Sequence, residues 1–393
     1  MAESVVIVSG VRTAVGTFGG SLAAEPPSRL GALCIAEALR RAEIAGDRVG
    51  HVVVGSVIPT EPRDAYIARV AAMEGGVPKE VPAFTVNRLC GSGAQAIVSA
   101  AQAIMLGDAE VAVAAGAESM SRSPHLLTTA RFGQKMGDAR ALDYMLGALN
   151  DPFGNGHMGV TAENVASRYG VSRDEQDAFA AESQARAQAA IGEGRFRDQI
   201  LPVAVTVNRK AVSFDTDEHP KATSPADLAR LKPAFAREGT VTAGNASGLN
   251  DGAAALVLMG ERAAERAGLR PLARLVGYAH AGVDPSEMGM GPVPAVRRLC
   301  ERTGLKPADF DVVESNEAFA AQACAVSREL GLDPARVNPN GGAIALGHPI
   351  GATGAIITVK LIAELARIQG RHGLVTMCIG GGQGIALAVE RLN

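Results

Sequence analysis

Two stretches in opposite halves of this chain run through the same order of features, and that repeat limits the fold more than anything else in the sequence. The first stretch has Val52-Val53-Val54-Gly55, a helical segment, and Val86-Asn87 before a glycine-bounded turn. An apolar helical segment, Val111–Ala115 and Gly116 follow. The second has Val312-Val313-Glu314, a helical segment, Val337-Asn338, a Gly-rich turn, an apolar helical segment, Leu374–Met377 and Gly380-Gly381-Gly382. Two related halves would set equivalent turns side by side about a pseudo-twofold axis; chance likeness in a chain rich in Gly, Ala and Val is the other reading. The composition bears on how such halves pack. With 46 Gly, no Trp and 4% aromatic residues, the core must be built from small aliphatic side chains in close contact.

The 393 residues, 47% hydrophobic and 20% charged, imply a large core in two or three domain-sized units or one duplicated fold, and exclude wholesale disorder. Lys+Arg (38) and Asp+Glu (41) nearly balance, for a net charge of −3, which argues against a dedicated nucleic-acid binder. The apolar run Val111–Ala117 is far short of the ~20 residues of a membrane span. Met1–Ser4 has no basic leader before Val5-Val6-Ile7-Val8. Cys34, Cys90, Cys300, Cys324 and Cys378 are scattered and form no CxxC pair, so neither a disulfide framework nor a metal site is expected. A reducing cytoplasm is the natural compartment.

Short β-branched runs alternate with longer amphipathic ones, which predicts α/β layering. Strands are expected at Val5–Ser9, His51–Gly55, Glu110–Ala115, Val312–Glu314, Gly373–Met377 and Ile385–Val389. Helices are expected at Ser28–Glu43, Gly93–Leu106, Glu317–Leu330 and Gly351–Gln369. Val81–Met120 holds 4 charged residues in 40, whereas Asp151–Thr240 holds 24 in 90, so the middle of the chain reads as a polar insertion on the duplicated core. The implied division is 1–120, completed by about 245–270, then an inserted 121–245, then 271–393.

Four turns carry chemistry. Asn87-Arg88-Leu89-Cys90-Gly91-Ser92-Gly93 puts a cysteine at the start of a helix, where free N–H groups and the helix dipole would favour a thiolate. Taken alone, Cys90 is equally well a small buried residue. Gly91-Ser92-Gly93-Ala94-Gln95-Ala96 also fits a loose dinucleotide pattern, but Asp108 and Glu110 precede the following strand and would lie at its wrong end. Gly347-His348-Pro349 is the matching turn of the second half, with His348 in the place of Cys90 and able to act as its base. Cys378-Ile379-Gly380-Gly381-Gly382 opens a run of N–H groups able to hold an oxyanion. Ser315-Asn316-Glu317-Ala318-Phe319 is a further strand-to-helix corner, ordinary as an Asn cap.

Together these motifs, in this order and at this spacing, resemble the thiolases (acetyl-CoA C-acyltransferases), from about Val5 to Arg391. The segments HMGVTAENVA and AGNASGLNDGAA bring the bacterial β-ketothiolases and biosynthetic acetoacetyl-CoA thiolases nearest. The resemblance implies a five-layered αβαβα core, each half contributing one sheet, with an inserted loop domain. It implies Cys90 as the acylated nucleophile, His348 as its base and Cys378 as the acid/base for the α-proton of acetyl-CoA. Asn316 would hold a water that completes one oxyanion hole with His348, and the N–H groups of Cys90 and Gly380 would form the other. Met158, Phe235, Ser247, Met288 and Phe319 would line the pantetheine channel or acyl pocket, and His157 belongs to the same motif. No cofactor is implied, since coenzyme A is a substrate. The partners are acyl-CoA and CoA, with neither nucleic acid nor membrane, in a homodimer or a homotetramer paired through a loop near Pro124–Arg140. Met290 beside Met288, Thr353 where Ser is frequent, and the nucleotide anchor near Lys221 depart from the pattern or stay open. Two alternatives stand beside this one. A decarboxylating condensing enzyme of the ketoacyl synthase type needs no second cysteine, and a non-catalytic CoA-binding protein needs no intact set of four motifs.

Overall fold

The β-branched run at Val5–Val8 is buried on both faces, and it seeds the strand around which the molecule is organised. The computed structural model describes residues 3–207 and 209–392; Met1 and Ala2, on which the leaderless reading partly rests, lie outside them. The main sheet is built from β1 (Val5–Thr13), β2 (His51–Gly55), β3 (Ala83–Val86), β4 (Val111–Ser119), β5 (Asn250–Gly260), β6 (Ala273–Gly282), β7 (Val312–Ser315), β8 (His372–Ile379) and β9 (Gln383–Arg391). The helices are α1 (Pro27–Ala42), α2 (Ile67–Glu74), α3 (Ser92–Leu106), α4 (Met158–Tyr169), α5 (Arg173–Gly192), α6 (Pro292–Thr303), α7 (Ala320–Leu330) and α8 (Thr353–Ile368), with shorter turns between.

The strand order is β3-β2-β4-β5-β1-β6-β9-β8-β7. Read outward from the β1/β6 junction, each limb starts with antiparallel pairs and ends with a parallel one. Thus β1 matches β6, β5 matches β9, β4 matches β8 and β2 matches β7. Even β3 has a counterpart, the single parallel bridge Val313–Val337, as the paired Val-Asn dipeptides of the repeat require. The limbs pair at Val6–Arg274 and Ile7–Ala273, so the sheets of the two halves share one hydrogen-bonded path.

Three apolar cores separate five layers. Leu30, Ile35 and Ala71 of α1 and α2 pack on Val52, Val113 and Val257. Ile97 and Ile104 of α3 and Ile356 and Leu361 of α8 lie between the limbs, against Val53, Ala114, Leu256, Val375 and Leu387. Val296 and Leu299 of α6 and Val326 of α7 cover Val313, Leu374 and Ala388. In β4 the side chains alternate between two cores, Val111 and Val113 outward, Ala112 and Ala114 inward. Two buried faces explain a continuous apolar run, and alanines on the inner face let the helix layer approach.

That layer is unusually close. A Cβ on Gly93 would stand 2.6 Å from the Ala355 nitrogen, and one on Gly354 would stand 2.2 Å from the Ala94 nitrogen. The first turns of α3 and α8 therefore touch backbone to backbone. Leu89–Leu106, 18 residues around α3, is apolar and long enough to cross a membrane, contrary to the expectation from sequence. Here it is enclosed between strands and α8, which accounts for its composition. The helix expected from Glu317 starts at Ala320, because Phe319 is extended and bridges to Ala246. The residues between β4 and β5 return to the first limb through β5, and they are tied to β1 by Arg12. Its guanidinium donates to both Asp217 carboxylate oxygens (2.7 and 2.9 Å), to Gln199 and to the Thr13 carbonyl. Both partners are buried, and removing either would leave a charge unpaired, a loss of about 3–5 kcal/mol.

Replacing Gly354 by Val should force α3 and α8 apart and lower stability by about 3 kcal/mol or more. Gly192→Ala, at a helical glycine with open space around it, should be neutral or stabilising by up to ~1 kcal/mol. Chemical denaturation of the two variants measures both.

Candidate active site

The helix crossing brings together the turns that precede α3 and α8. Between β3 and α3, Leu89 takes a left-handed φ of 47°, and its N–H donates to Asn87 Oδ1 at 2.9 Å. Ser92 Oγ accepts from the Arg88 N–H and donates to the Leu89 carbonyl, closing the turn under Cys90. A Cβ on Gly91 would meet Ile379 Cδ1 at 2.6 Å, so the Cys90 turn lies directly on the end of β8. The backbone N–H groups of Gly380 and of Cys90 itself lie near the Cys90 sulfur and favour its ionised form. Cys378 is fully buried and close enough to Cys90 for the two sulfurs to repel one another when ionised.

His348 is buried, and its orientation is set by three contacts. Its N–H donates to Asn250 Oδ1 at 2.9 Å, and its Nδ1 lies 2.7 Å from Thr353 Oγ1. The Thr353 hydroxyl gives its only proton to the Pro349 carbonyl at 2.9 Å, so it must accept from Nδ1–H. Nε2 is then the unprotonated nitrogen, and Asn316 Nδ2 stands 3.5 Å from it. Asn316 Oδ1 is buried with no partner among the described residues.

The buried Glu118 links the two turns. Its carboxylate accepts from the N–H groups of Gly351 (2.8 Å), Val57 (3.0 Å) and Ile58 (3.1 Å), joining the His348 loop to the end of β2. Burial raises its pKa to about 8 against these three donors, which pull it down. Neither Glu118 nor Asn250 is singled out by the motifs. The signal for Glu118 was its charge in a stretch nearly free of charge.

Two expectations change. Cys90 stands two residues before α3 and His348 five before α8, so Gly351, not His348, occupies the place of Cys90. The intervening residues form an extra turn that Asn250 and Glu118 hold. Nor does the helix start make Cys90 a resting thiolate. Burial first, and then the charge of Glu118, push its thiol up to about 11 against the two N–H donors. Burial also lowers His348 to about 4 and moves Cys378 far above the usual thiol range. At neutral pH the site holds two thiols and a neutral imidazole.

Met158, Met288, Ala318, Phe319 and the half-buried Phe235 form one apolar cluster with Cys378. Phe235 packs flat on Gly159, whose Cβ would collide with the ring at 2.3 Å, and meets Phe319 edge-on at 6.0 Å. His157 stacks on Phe235 at 4.8 Å, and its Nδ1 accepts the Gly159 N–H, capping α4. The Ser247 N–H donates to the Ala318 carbonyl, which sets this loop beside the same cluster. Met290 belongs instead to the outer core under α6 and α7. Among the described residues no group of three or more His, Cys, Asp or Glu is placed to hold a metal ion. A thiol with N–H donors, a neutral base and a second buried thiol can pass an acyl group through a thioester and move a proton beside it.

Known proteins match this arrangement over the whole chain. The family model described as "Thiolase, N-terminal domain" covers residues 5–262, and "Thiolase, C-terminal domain" covers 269–391. The chain is 64% identical to beta-ketothiolase BktB of Cupriavidus necator over 394 residues, with 100% of each covered. It is 50% identical to an acetyl-CoA acetyltransferase of Thiocystis violacea over 395 residues, again with 100% of both covered. The Bacillus anthracis acetyl-CoA acetyltransferase structure superposes with a TM-score of 0.97 at 48% identity, covering 100% of this chain and 99% of that one. Human mitochondrial 3-ketoacyl-CoA thiolase in complex with CoA gives 0.96 at 42% identity, covering 100% and 98%.

A thiol raised to about 11 is protonated through the neutral range, so iodoacetamide should alkylate Cys90 faster by about tenfold per pH unit from 7 to 9. A plateau near pH 7 would contradict this. Thr353→Val removes the acceptor for Nδ1–H and frees the imidazole to change tautomer; turnover should fall about tenfold or more with little change in KM.

Proposed function

The chain belongs to the thiolase family, and from that premise we propose that it cleaves 3-ketoacyl-CoA with CoA and runs the reverse condensation of two acyl-CoA molecules. The observation that carries the residue roles is the Cys90 sulfur set against the Gly380 N–H with the Cys378 thiol beside it. We divide the chain functionally as 1–120 with about 245–270, an inserted 121–245, and 271–393.

In cleavage, His348 Nε2 takes the Cys90 proton as the sulfur attacks the 3-keto carbon. The bond between C2 and C3 then breaks, and its electron pair becomes the enolate of acetyl-CoA. Cys378 gives its proton to that carbon, and acetyl-CoA leaves. Incoming CoA gives its thiol proton to the Cys378 sulfur and attacks the acyl thioester; Cys90 leaves as thiolate and recovers its proton from His348. The thioester on Cys90 is close in energy to that of CoA, which keeps both half-reactions reversible. The Cys90 and Gly380 N–H groups receive one oxyanion. A water on the Asn316 amide, with His348, receives the enolate oxygen. Each such donor contributes about 3 kcal/mol, roughly a hundredfold in rate.

Met158, Phe235, Met288 and Phe319, with Ser247 and His157 beside them, line the path of the acyl group and pantetheine. Coenzyme A enters as substrate. Decarboxylating condensation is the weaker reading, since it leaves Cys378 without a task. The exposed apolar side chains Leu127, Phe132 (91% exposed) and Met136 (90%) near Pro124–Arg140 support assembly of dimers into a tetramer. Five free cysteines support a cytoplasmic setting.

Loss of the enolate absorbance of acetoacetyl-CoA on adding CoA measures the activity directly, and a ladder of 3-ketoacyl-CoA chain lengths gives its range. Cys90→Ala should abolish it. Cys378→Ser should still form acyl-enzyme while exchange of acetyl-CoA α-protons with solvent falls by ~10²–10⁴-fold. Unchanged exchange in that variant would remove Cys378 from the mechanism.

A further inference from the structure

We propose that Asn338, Glu317 and Ser183 form a latch that positions Asn316, binding the corner that carries it to a helix of the inserted segment. Asn338 takes a left-handed φ of 45°, a conformation that asparagine tolerates, and this turns its side chain back on the corner. Its Oδ1 accepts the Ser315 N–H at 3.0 Å, and its Nδ2 donates to the Ser315 carbonyl at 2.8 Å and to Glu317 Oε1 at 2.7 Å. The other Glu317 oxygen accepts from Ser183 Oγ at 2.7 Å and from the Ile344 N–H at 3.2 Å. Ser183 Oγ in turn accepts the Gly342 N–H at 3.1 Å. Residues 315 and 317 are therefore clamped on both sides of Asn316. The Asn316 amide itself has one weak contact, the 3.5 Å approach to His348, so its aim follows from the backbone on either side.

The space for the latch is cleared by glycine. A Cβ on Gly342 would lie 2.1 Å from Glu317 Cδ, and one on Gly341 would lie 2.7 Å from the Ser183 carbonyl oxygen. Ser183 belongs to α5, so the inserted segment reaches the back of the corner as well as covering its front. Structural cohesion has a separate source nearby: buried Lys360 bonds both Glu314 (2.9 Å) and the Gly341 carbonyl (2.8 Å). Removing the Ser183 hydroxyl leaves that tie intact.

The proposal rests on the thiolase reading, in which Asn316 serves the enolate step and Cys90 the acyl step. Ser183→Ala should lower both turnover and α-proton exchange of acetyl-CoA about tenfold, the effect of one lost hydrogen bond to a carboxylate. KM for CoA and the rate of Cys90 alkylation should stay near wild type while the unfolding temperature falls by a few degrees, as the Gly342 N–H and Glu317 lose a partner, and Ser183→Thr should restore much of the exchange. Asn338→Ala, if it folds, should lose more. Exchange at the wild-type level in Ser183→Ala overturns the latch, as does an equal fall of Cys90 alkylation with a raised KM for CoA. A wild-type enzyme that neither cleaves acetoacetyl-CoA nor exchanges α-protons overturns the thiolase reading instead.

Discussion

A backbone-to-backbone crossing of two helices sets the position of everything at this site. At Gly93 and Gly354 the first turns of α3 and α8 meet with no room for a single Cβ. Any side chain there would separate the helices, and with them the turns that hold Cys90 and His348. The alanine-rich inner face of the sheet and the absence of tryptophan serve the same end, because a layer of large side chains could not be this thin. The two halves supply one helix each, and the duplication therefore sets the two turns side by side, although His348 is not the counterpart of Cys90.

Burial then decides the resting chemistry. A helix start stabilises an adjacent anion by about 0.3–1 kcal/mol, less than one pK unit, whereas burial in apolar surroundings moves a thiol by several units. Burial wins at Cys90, despite two N–H donors, and it wins in the opposite direction at His348.

Much of this was readable in advance because it is local. The paired Val-Asn dipeptides mark β3 and its counterpart bridge, and the glycine turns mark where backbones approach. Cys378, Met158, Met288, Phe235 and Phe319 gather in one cluster, with Cys90 beside Cys378. What escaped is long-range. Glu118 carries no local motif, and its task of joining residues 57, 58 and 351 exists only once the halves are folded together. His157 looked like part of a substrate motif, and the fold shows it also caps α4, since only the turn geometry brings Gly159 N–H to its ring.

The sequence by itself determined the layered α/β duplication and the identity of the sulfur and imidazole groups, since periodicity, turn chemistry and residue type are properties of short segments. Tertiary structure alone decided their protonation and aim. The partly exposed Cys90 thiol is raised by the desolvating surroundings of its turn, the imidazole tautomer is set because Thr353 donates its single proton to Pro349, and Glu317, the neighbour of Asn316, accepts from a serine far away in the chain. Those outcomes depend on burial and on contacts across sequence distance, which no single segment contains.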